Sequence, residues 1–205
     1  MPKVLVLFHS RTGNTAALAD AIAEGAASVK FTEVEIRRVD DLAPAAVVEA
    51  NEDWKRARAA LAKKYRTLES VDSLADYDAL IVGSPTRFGG MSAEVKSVLD
   101  RAEALWTRGA LVDKVGSAFS TVGTPHGGHE TTIQSILVPM MHYGMIIVPP
   151  GYAEPGMFSG GSPYGATATG TGGAPVVSEL AVARHQGARV ARVAEWVRHA
   201  KSHKH

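Results

Sequence analysis

The chemically distinctive residues of this chain begin directly after its first apolar segment. Residues 4–8 are all apolar, and Ser10-Arg11-Thr12-Gly13-Asn14-Thr15 follows after a single histidine. Serine and threonine hydroxyls are hydrogen-bond donors, and the backbone N–H groups at a helix start carry partial positive charge. The glycine at position 13 lets the backbone approach a ligand closely. This turn between a buried strand and a helix is therefore predicted to bind an anion, in particular a phosphate monoester.

Two later loops have a similarly unusual composition, and each follows an apolar segment that predicts a strand. Pro85-Thr86-Arg87-Phe88-Gly89 combines backbone donors and glycine with an arginine and an aromatic ring. The other loop, residues 120–130, is rich in serine, threonine, glycine and histidine. In a parallel sheet, the loops after the carboxyl ends of the strands share one edge, where ligands bind. We therefore expect one polyatomic ligand to contact all three loops.

The glycine motifs narrow the type of phosphate ligand. The first loop lacks both the Gly-Lys-Ser/Thr of a nucleoside triphosphate loop and the Gly-x-Gly-x-x-Gly of a dinucleotide site. Gly170 and Gly173 are closely spaced, but no predicted strand precedes them. A single phosphate among hydroxyls indicates a mononucleotide, and FMN pairs naturally with a flavodoxin-like sheet. Arg87 would then stay charged near the anionic edge of a reduced flavin, and Phe88 would supply an apolar wall.

The histidine-rich end of the third loop also suggests a metal site. His126, His129 and Glu130 are close in sequence, but the His-Glu-x-x-His spacing of metalloproteases is absent, and so is cysteine. Ser84 precedes a proline rather than standing in Gly-x-Ser-x-Gly, so nothing favours a hydrolase. We predict no metal site. The plainer alternatives are a well-capped helix start in the first loop and a simple turn in the second.

Five apolar segments predict the strands that position these loops, at residues 4–8, 31–39, 79–82, 115–120 and 145–148. Helical periodicity predicts helices between them and a last helix at 179–199. This alternation predicts an α/β, flavodoxin-like three-layer sandwich with a five-stranded parallel sheet of order 2-1-3-4-5 and helices on both faces. We expect one domain over residues 1–200, with an insertion at about 40–76, a long glycine-rich loop at about 149–177 and a basic tail at 201–205.

The roles of the segments that contain Trp54 and Trp106 each have more than one interpretation. The insertion contains a basic helical segment, residues 52–66, which is either a solvated face or a subunit contact anchored by Trp54 or Tyr65. A single helix is predicted over residues 91–106, and Trp106 at its end is expected near the same rim as the three loops. Its ring is either core or interface packing, or a flat wall for a planar substrate.

Composition excludes several classes of protein. The 205 residues include 22 basic and 21 acidic ones, and this balance does not favour nucleic acid or an anionic membrane as a partner. No cysteine is present, which excludes disulfides, thiolate catalysis and Cys-ligated metal centres. We expect no signal peptide and no membrane-spanning segment, and hence a cytoplasmic protein.

Several longer motifs resemble a known family. Ser10-x-Thr12-Gly13-Asn14-Thr15 resembles the flavodoxin phosphate loop. Four further segments together resemble the WrbA-type NAD(P)H:quinone oxidoreductases: Pro85-Thr86-Arg87-Phe88-Gly89, Leu105-Trp106, Gly144-Met-Ile-Ile-Val-Pro149 with Gly151-Tyr152, and Gly160-Gly161-Ser-Pro-Tyr-Gly165-Ala. Glu179-Leu180 and Ala183-Arg184-His-Gln186-Gly187 extend the similarity to the last helix. The resemblance covers essentially the whole chain.

This resemblance implies non-covalently bound FMN, reduction by NADH or NADPH, and two-electron transfer to quinones. It also implies a homotetramer, a dimer of dimers, whose active sites include residues from neighbouring subunits. By position, Ser10–Thr15 would bind the phosphate and Pro85–Gly89 the isoalloxazine edge. The ribityl chain and ring would contact Ser120, Thr121, Val122, Gly123, Thr124, Pro125 and His126. Trp106 would line the substrate pocket.

The chain departs from the family pattern at two positions that bear on function. Many relatives have an aromatic residue where this chain has Thr12, placed to meet the nicotinamide nucleotide. A His-His pair is common where this chain has His142-Tyr143, so Tyr143 would take the place beside the flavin. Tyrosine keeps a hydrogen-bonding tip but, unlike histidine, does not become cationic near pH 7.

The functional hypothesis is a one-site ping-pong reaction. NAD(P)H gives a hydride to the flavin and leaves, and a quinone then takes two electrons in the same space. One alternative is a flavodoxin-like electron carrier, although such carriers are usually strongly acidic and this chain has a net charge of +1. The other is a non-enzymatic FMN-binding interaction module that uses the basic helix and tail, which the net charge also disfavours.

Overall fold

A parallel β-sheet forms the centre of this computed structural model, which describes residues 1–159, 161–170 and 173–202. Five of its strands are β1 (Lys3–Phe8), β2 (Glu33–Arg38), β3 (Ala79–Pro85), β4 (Val115–Val122) and β5 (Ile146–Ile147). They pair in the order β2-β1-β3-β4-β5, and all four pairings are parallel. The predicted sheet order is therefore confirmed.

A sixth strand, β6 (Thr167–Thr169), corrects the prediction of a five-stranded sheet. It pairs in parallel with the last residues of β4, from Ser120 opposite Thr167 to Val122 opposite Thr169. The two residues of β5 pair only with Val115 and Gly116, at the opposite end of β4. Two short strands thus share one edge of β4. Three residues are too few to show the alternation of apolar and polar side chains that predicts a strand. On sequence alone, β6 is therefore assigned to the glycine-rich loop.

Seven α-helices accompany the sheet in the described residues: α1 (Asn14–Ala27), α2 (Ala45–Glu49), α3 (Glu52–Lys64), α4 (Ala93–Asp100), α5 (Glu103–Thr107), α6 (His129–His142) and α7 (Val177–Ser202). The single helix predicted at 91–106 is in fact two. At Ala102 the backbone leaves the α-helical region, with φ −80° and ψ 11°, and α5 starts afresh. Two 3₁₀ segments, Val71–Asp76 and Pro155–Ser159, complete the regular structure.

The core lies in two layers, one on each face of the sheet. Val4, Val6 and Phe8 of β1 pack with α1 and α7. Leu5 and Leu7 point to the other face and pack with α4, α5 and α6. Both faces of a central parallel strand are covered by helices, so its apolar residues run without a polar interruption. Helices on both faces, as predicted, follow from this arrangement.

The insertion packs on its own chain. Tyr65 is buried with its ring edge-on to Phe8 at 5.0 Å, and its hydroxyl donates to Asp20 Oδ2 at 2.8 Å. Trp54 is also buried, while most of α3 is exposed. Trp54 and Tyr65 are therefore packed in their own chain and are not anchors for another subunit, whereas both the solvated face and the subunit contact stay predictions for the exposed residues of α3.

The carboxy-terminal helix is longer than predicted. It begins at Val177 and continues to Ser202, so Lys201 belongs to the helix rather than to a frayed tail. The Lys201 ammonium donates to the carbonyl of Asp113 at 3.3 Å. The rest of the predicted tail, residues 203–205, and Gly160 of the family motif lie outside the described residues. Within the described part of the chain, each helix falls short of the length or apolarity needed to cross a membrane.

Candidate functional site

Loops from three strands meet at the carboxyl edge of the sheet. Thr15 and Thr121 exchange a buried hydroxyl hydrogen bond of 2.8 Å, which joins the first loop to the third. The backbone N–H of Thr86 donates to the carbonyl of Thr121 at 2.8 Å, which joins the second loop to the third. The loops surround a cleft of about 160 Å³ that is lined by Arg11, Thr12, Asn14, Thr15, Pro85, Thr86, Arg87, Thr121, Val122, Gly123 and Gly170. The predicted convergence of the three loops is therefore present in the structure.

The first loop presents helix N–H groups to this cleft. Gly13 is the N-cap of α1 and has a left-handed backbone with φ 105°, a conformation that other residues adopt only with strain. It has no side chain with which to cap the first turn of the helix. The buried hydroxyl of Ser10 accepts the N–H of Gly13 at 3.1 Å and so holds the turn in shape. The following N–H groups remain directed at any anion in the cleft.

The second loop is held by one threonine hydroxyl. The Thr86 hydroxyl accepts from the N–H of Gly89 at 3.1 Å and from Thr132 at 2.9 Å, and it donates to the carbonyl of Gly127 at 3.2 Å. The Arg87 guanidinium folds back to donate to the carbonyl of Thr86 at 2.9 Å. Burial lowers the pKa of Arg87, but an arginine remains charged at neutral pH. The cleft therefore contains one fixed, partly desolvated cation.

Phe88 stands out from this loop. Its backbone lies in the left-handed region at φ 53°, and its side chain is fully exposed. An aromatic residue in that backbone conformation is strained, and such strain collects at functional sites. Nothing in the described residues covers the ring, so it forms an apolar surface at the mouth of the cleft.

The third loop supplies a buried hydroxyl without a partner. Ser120 is completely buried at the end of β4, and its Oγ makes no hydrogen bond to any described residue. An unsatisfied buried polar group costs roughly 1–3 kcal/mol, so natural structures rarely keep one without a reason. Ser120 itself does not line the cleft, whose uncapped α1 N–H groups and Arg87 charge fit a polar, phosphate-bearing ligand. The set of donors suits FMN.

Pro125 and His126 face a different cavity. They line a space of about 480 Å³ together with His129, Glu130, Glu179 and residues of β6. The His129 ring approaches Thr169 Oγ1 at 3.4 Å, and burial lowers the pKa of this histidine against the opposing effect of Glu130 and Glu179. The turn at Gly127 and Gly128 directs this end of the loop away from the phosphate-loop cleft. The first part of the third loop, Thr121 to Gly123, therefore lines the phosphate-loop cleft, and Pro125 and His126 line the second cavity.

Trp106 and Tyr143 lie together, away from the three loops. They line a cleft of about 250 Å³ with Leu99, Asp100, Glu103 and His142. The Tyr143 hydroxyl donates to the carbonyl of Leu99 at 2.7 Å, and burial, with a smaller effect of Asp100, raises the pKa of this tyrosine. Tyr143 follows the 14 residues of α6, which begins at the rim, and such a helix is about 20 Å long. The expectation that Trp106 lies near the rim is wrong for a single chain.

The structure also assembles a group that sequence reasoning missed. His9, Asp41 and Glu94 have side-chain ligand atoms that all lie within 4.8 Å of one another, directly behind the phosphate loop. His9 follows β1, Asp41 follows β2, and Glu94 lies in the first turn of α4. No spacing links three residues so far apart in sequence. The single available signal was a histidine at the end of an otherwise apolar strand.

Comparison with known protein families and relatives agrees with this geometry. Residues 2–157 match the family described as NADPH-dependent FMN reductase. An NAD(P)H dehydrogenase (quinone) of Nitrobacter winogradskyi is 46% identical over 202 residues, covering 95% of this chain and 98% of the relative. One of Rhodopseudomonas palustris is 45% identical over 203 residues, with the same coverage.

Solved structures show the same similarity in three dimensions. A flavodoxin, WrbA-like protein from Agrobacterium tumefaciens superposes with a TM-score of 0.69 at 25% identity, covering 96% of this chain and 99% of that one. A flavodoxin from the domain Archaea has a TM-score of 0.62 at 21% identity, covering 94% and 99%, and supports the fold alone.

Proposed function

Because the chain belongs to the NADPH-dependent FMN reductase family, we propose that it is an FMN-dependent oxidoreductase that passes two electrons from NADH or NADPH to quinones. The two relatives are named NAD(P)H dehydrogenase (quinone), and they are matched over nearly their whole length. The observation in the structure that carries the proposal is the convergence of three loops on one cleft at the start of α1, whose first turn has no side-chain cap. A plain electron carrier would not account for these relatives.

The phosphate of FMN is assigned to the turn from Ser10 to Thr15. The first-turn N–H groups of α1 and the helix dipole favour a dianion there, and the side chains of Thr12 and Asn14 border the same space. The left-handed Gly13 turns these N–H groups inward. This assignment needs no lysine, because the backbone supplies the donors.

The flavin ring is assigned to the space between the second and third loops. Bound FMN would supply the redox chemistry, accepting a hydride from the nicotinamide and giving two electrons to the quinone. The chain supplies backbone donors of Pro85–Gly89, the Arg87 charge that favours an anionic ring edge, and the free hydroxyl of Ser120. Thr121, Val122, Gly123 and Thr124 would run along the ribityl chain. Pro125 and His126 border this path from the adjoining cavity.

Trp106 and Tyr143 are assigned to the active site of a neighbouring subunit. In their own chain they lie at the far end of α6, yet both present surface, and Trp106 is 54% exposed. The cleft at the phosphate loop is smaller than the roughly 300–1,000 Å³ of a usual ligand pocket, and Phe88 is uncovered beside it. A homotetramer, arranged as a dimer of dimers in the cytoplasm, would bring the two halves of the site together.

The shape of the cleft supports a one-site ping-pong reaction. All three loops border one cleft, so the nicotinamide and the quinone would occupy the same space in turn. Initial rates measured with saturating FMN, varied NADH or NADPH and varied benzoquinone should give parallel double-reciprocal lines. Intersecting lines would contradict a single shared site, and a lack of turnover with either nucleotide would contradict the proposed enzyme.

A further inference from the structure

His9 occupies an unusual position behind the phosphate loop. It is 2% exposed, and its backbone N–H donates to the carbonyl of Gly83 at 3.1 Å, so it continues the pairing of β1 with β3. The next residue is Ser10, which holds the turn of the phosphate loop. Any change in the charge or position of the His9 ring therefore acts directly on that loop.

Both ring nitrogens of His9 face a carboxylate. Nε2 lies 3.1 Å from Asp41 Oδ1, and Nδ1 lies 3.5 Å from Glu94 Oε2. Nδ1 is buried and makes no hydrogen bond to a described residue in this geometry. A neutral ring that donates from Nε2 would point the Nδ1 lone pair at a carboxylate oxygen, and two acceptors would then face each other. A positive charge on the Nδ1 side would remove this opposition between the ring and Glu94.

The charges around His9 identify the missing positive charge as a proton. Asp41, from the segment after β2, and Glu94 of α4 face His9 directly. The cations beside these carboxylates are Arg58 of α3 and Arg87 of the second loop, and Arg11 of the phosphate loop lies near Arg87. Arg58 Nε lies 3.7 Å from Asp41 Oδ2. Several guanidinium groups nearby disfavour a divalent metal ion, which would add to their repulsion. A shared proton adds one charge, and hydrogen bonds to both carboxylates stabilise it.

A chain of contacts leads from His9 to the exposed side of the phosphate loop. Asp41 Oδ1 also accepts from Trp54 Nε1 at 3.3 Å, and the Arg11 guanidinium lies 4.0 Å above the Trp54 ring. Burial raises the pKa of Asp41, but the His9 and Trp54 hydrogen bonds and the charge of Arg58 outweigh it, so the net pKa is lowered. Asp41 therefore stays ionised and keeps its hydrogen bonds to His9 and Trp54. The insertion thus reaches the phosphate loop through the Asp41 carboxylate and through the Trp54 ring beneath Arg11.

We propose that His9 is a positioning residue which remains protonated between Asp41 and Glu94 and thereby allows the phosphate loop to bind a phosphate dianion. Without that charge, two carboxylates would stand close behind the loop with one fewer cation to balance them, and they would repel the ligand. The Asp41 contact also fixes Trp54, and through it Arg11. The proposal rests on the proposed function only for the identity of the ligand, FMN.

The protonation state of His9 can be measured without any ligand. Long-range ¹H–¹⁵N spectra of the apoprotein distinguish an imidazolium, with both nitrogens protonated, from either neutral tautomer. We expect His9 to be doubly protonated at neutral pH. A neutral His9 would overturn the proposal, and so would a change in its spectrum on treatment with EDTA, because that would place a metal ion where the proton is expected.

Binding of FMN then tests the consequence. We expect His9→Gln to weaken FMN binding by roughly tenfold at neutral pH, the scale of one unit charge about 10 Å away at an effective dielectric of about 20. Both proteins are measured at the same pH, so the ionisation of FMN itself cancels in the ratio of the two dissociation constants. His185→Gln, a histidine on α7 far from the loop, is the matched control and should bind FMN like the wild type.

A double variant separates the effect of the His9 charge on FMN binding from a purely structural effect of replacing the ring. In H9Q/E94Q the uncompensated carboxylate is also removed, so FMN affinity should return to within about threefold of the wild type. If H9Q binds FMN normally, or if the double variant binds as weakly as H9Q, His9 does not act through its charge and the proposal fails. Failure of quinone turnover with FMN bound normally would instead contradict the proposed function and leave the His9 result standing.

Discussion

Two serine hydroxyls of β4 differ in whether the fold satisfies their hydrogen bonds. Ser117 and Ser120 lie three residues apart on the same strand, and both are completely buried. Ser117 Oγ donates to the carbonyl of Val148 and accepts from Gln186 Nε2, each at 2.7 Å. Ser120 Oγ has no such partner among the described residues. The first hydroxyl thus stabilises the fold, and the second does not contribute a hydrogen bond to it.

This contrast predicts opposite results for two matched substitutions. Ser120→Ala should leave the melting temperature of the apoprotein unchanged or raised, since it removes an unpaired buried group, but should weaken FMN binding by roughly fivefold. Ser117→Ala should cost about 1–3 kcal/mol of unfolding free energy with little effect on FMN affinity. Calorimetry of both apoproteins and FMN titrations check the pair. A loss of apoprotein stability in S120A with unchanged binding would assign Ser120 to the fold instead.

His129 predicts how stability depends on pH. Burial lowers its pKa below the ordinary value of about 6.5, so the unfolded chain binds a proton more readily than the folded one. Stability contributed by this group is present above about pH 6.5 and is lost as the pH falls below it. We expect the melting temperature of His129→Gln to fall less than that of the wild type between about pH 7.5 and pH 5. His126→Gln, an exposed neighbour, is the control; equal slopes in H129Q and the wild type would contradict the prediction.

At the scale of elements, the two helices on one face touch through their backbones. A Cβ built on Gly25 of α1 would lie 1.9 Å from the carbonyl oxygen of Arg184. One built on Gly187 of α7 would lie 1.9 Å from the carbonyl oxygen of Ile22. Two glycines on facing helices thus allow an approach that no other residue permits. Since the amino end of α1 forms the phosphate loop, this contact also holds the site in place.

The helix contact predicts a large effect for one added methyl group. Gly187→Ala should force α1 and α7 apart and cost about 1–3 kcal/mol or more of unfolding free energy, because backbone atoms cannot move aside as a side chain can. Gly123→Ala is the matched control for stability, as a Cβ there meets nothing within 4 Å. Urea unfolding of the two apoproteins compares them. Equal midpoints would show that the two helices tolerate separation.

Sequence periodicity and topology predicted most of the scaffold, and local geometry explains the remainder. The order of the sheet follows from alternating β and α segments, so the loops after β1, β3 and β4 had to meet. The three-residue β6 and the break at Ala102 leave no trace in a hydrophobic pattern. Pro125 and His126 line a second cavity, which a pattern of loop residues does not encode. The cluster at His9 depends on how the insertion packs, which no local signal encodes.

At the scale of the whole molecule, one chain carries two separated halves of the proposed site. The phosphate-loop cleft lies at the carboxyl edge of the sheet, and the Trp106–Tyr143 cleft lies beyond the other end of α6. The sequence-based prediction placed Trp106 near the edge that carries the three loops, and the family resemblance placed Tyr143 beside the flavin, whereas within one chain both lie at the far end of α6. The separation is why we propose assembly into a tetramer rather than a monomeric enzyme.

The assembly predicts that Trp106 acts on a site formed with another subunit. Trp106→Ala should lower kcat/KM for benzoquinone by roughly tenfold while leaving the dissociation constant of FMN nearly unchanged, because in the proposed assembly its ring would border the substrate and not the phosphate. Trp196→Ala is the matched control, since this tryptophan of α7 is similarly exposed at 62%. Steady-state kinetics and light scattering report activity and mass. Equal losses in both variants would contradict a specific substrate contact.

The central claim, FMN-dependent transfer of electrons from NAD(P)H to a quinone, is tested most directly by anaerobic visible spectroscopy. The purified protein is mixed with FMN, then with NADH or NADPH, and finally with benzoquinone. We predict that the bound flavin absorption is lost on addition of the nucleotide and fully restored by the quinone, with one quinol formed per nucleotide oxidised. A flavin that binds but is not reduced by either nucleotide, or one that is reduced and not reoxidised by the quinone, would contradict the proposed function.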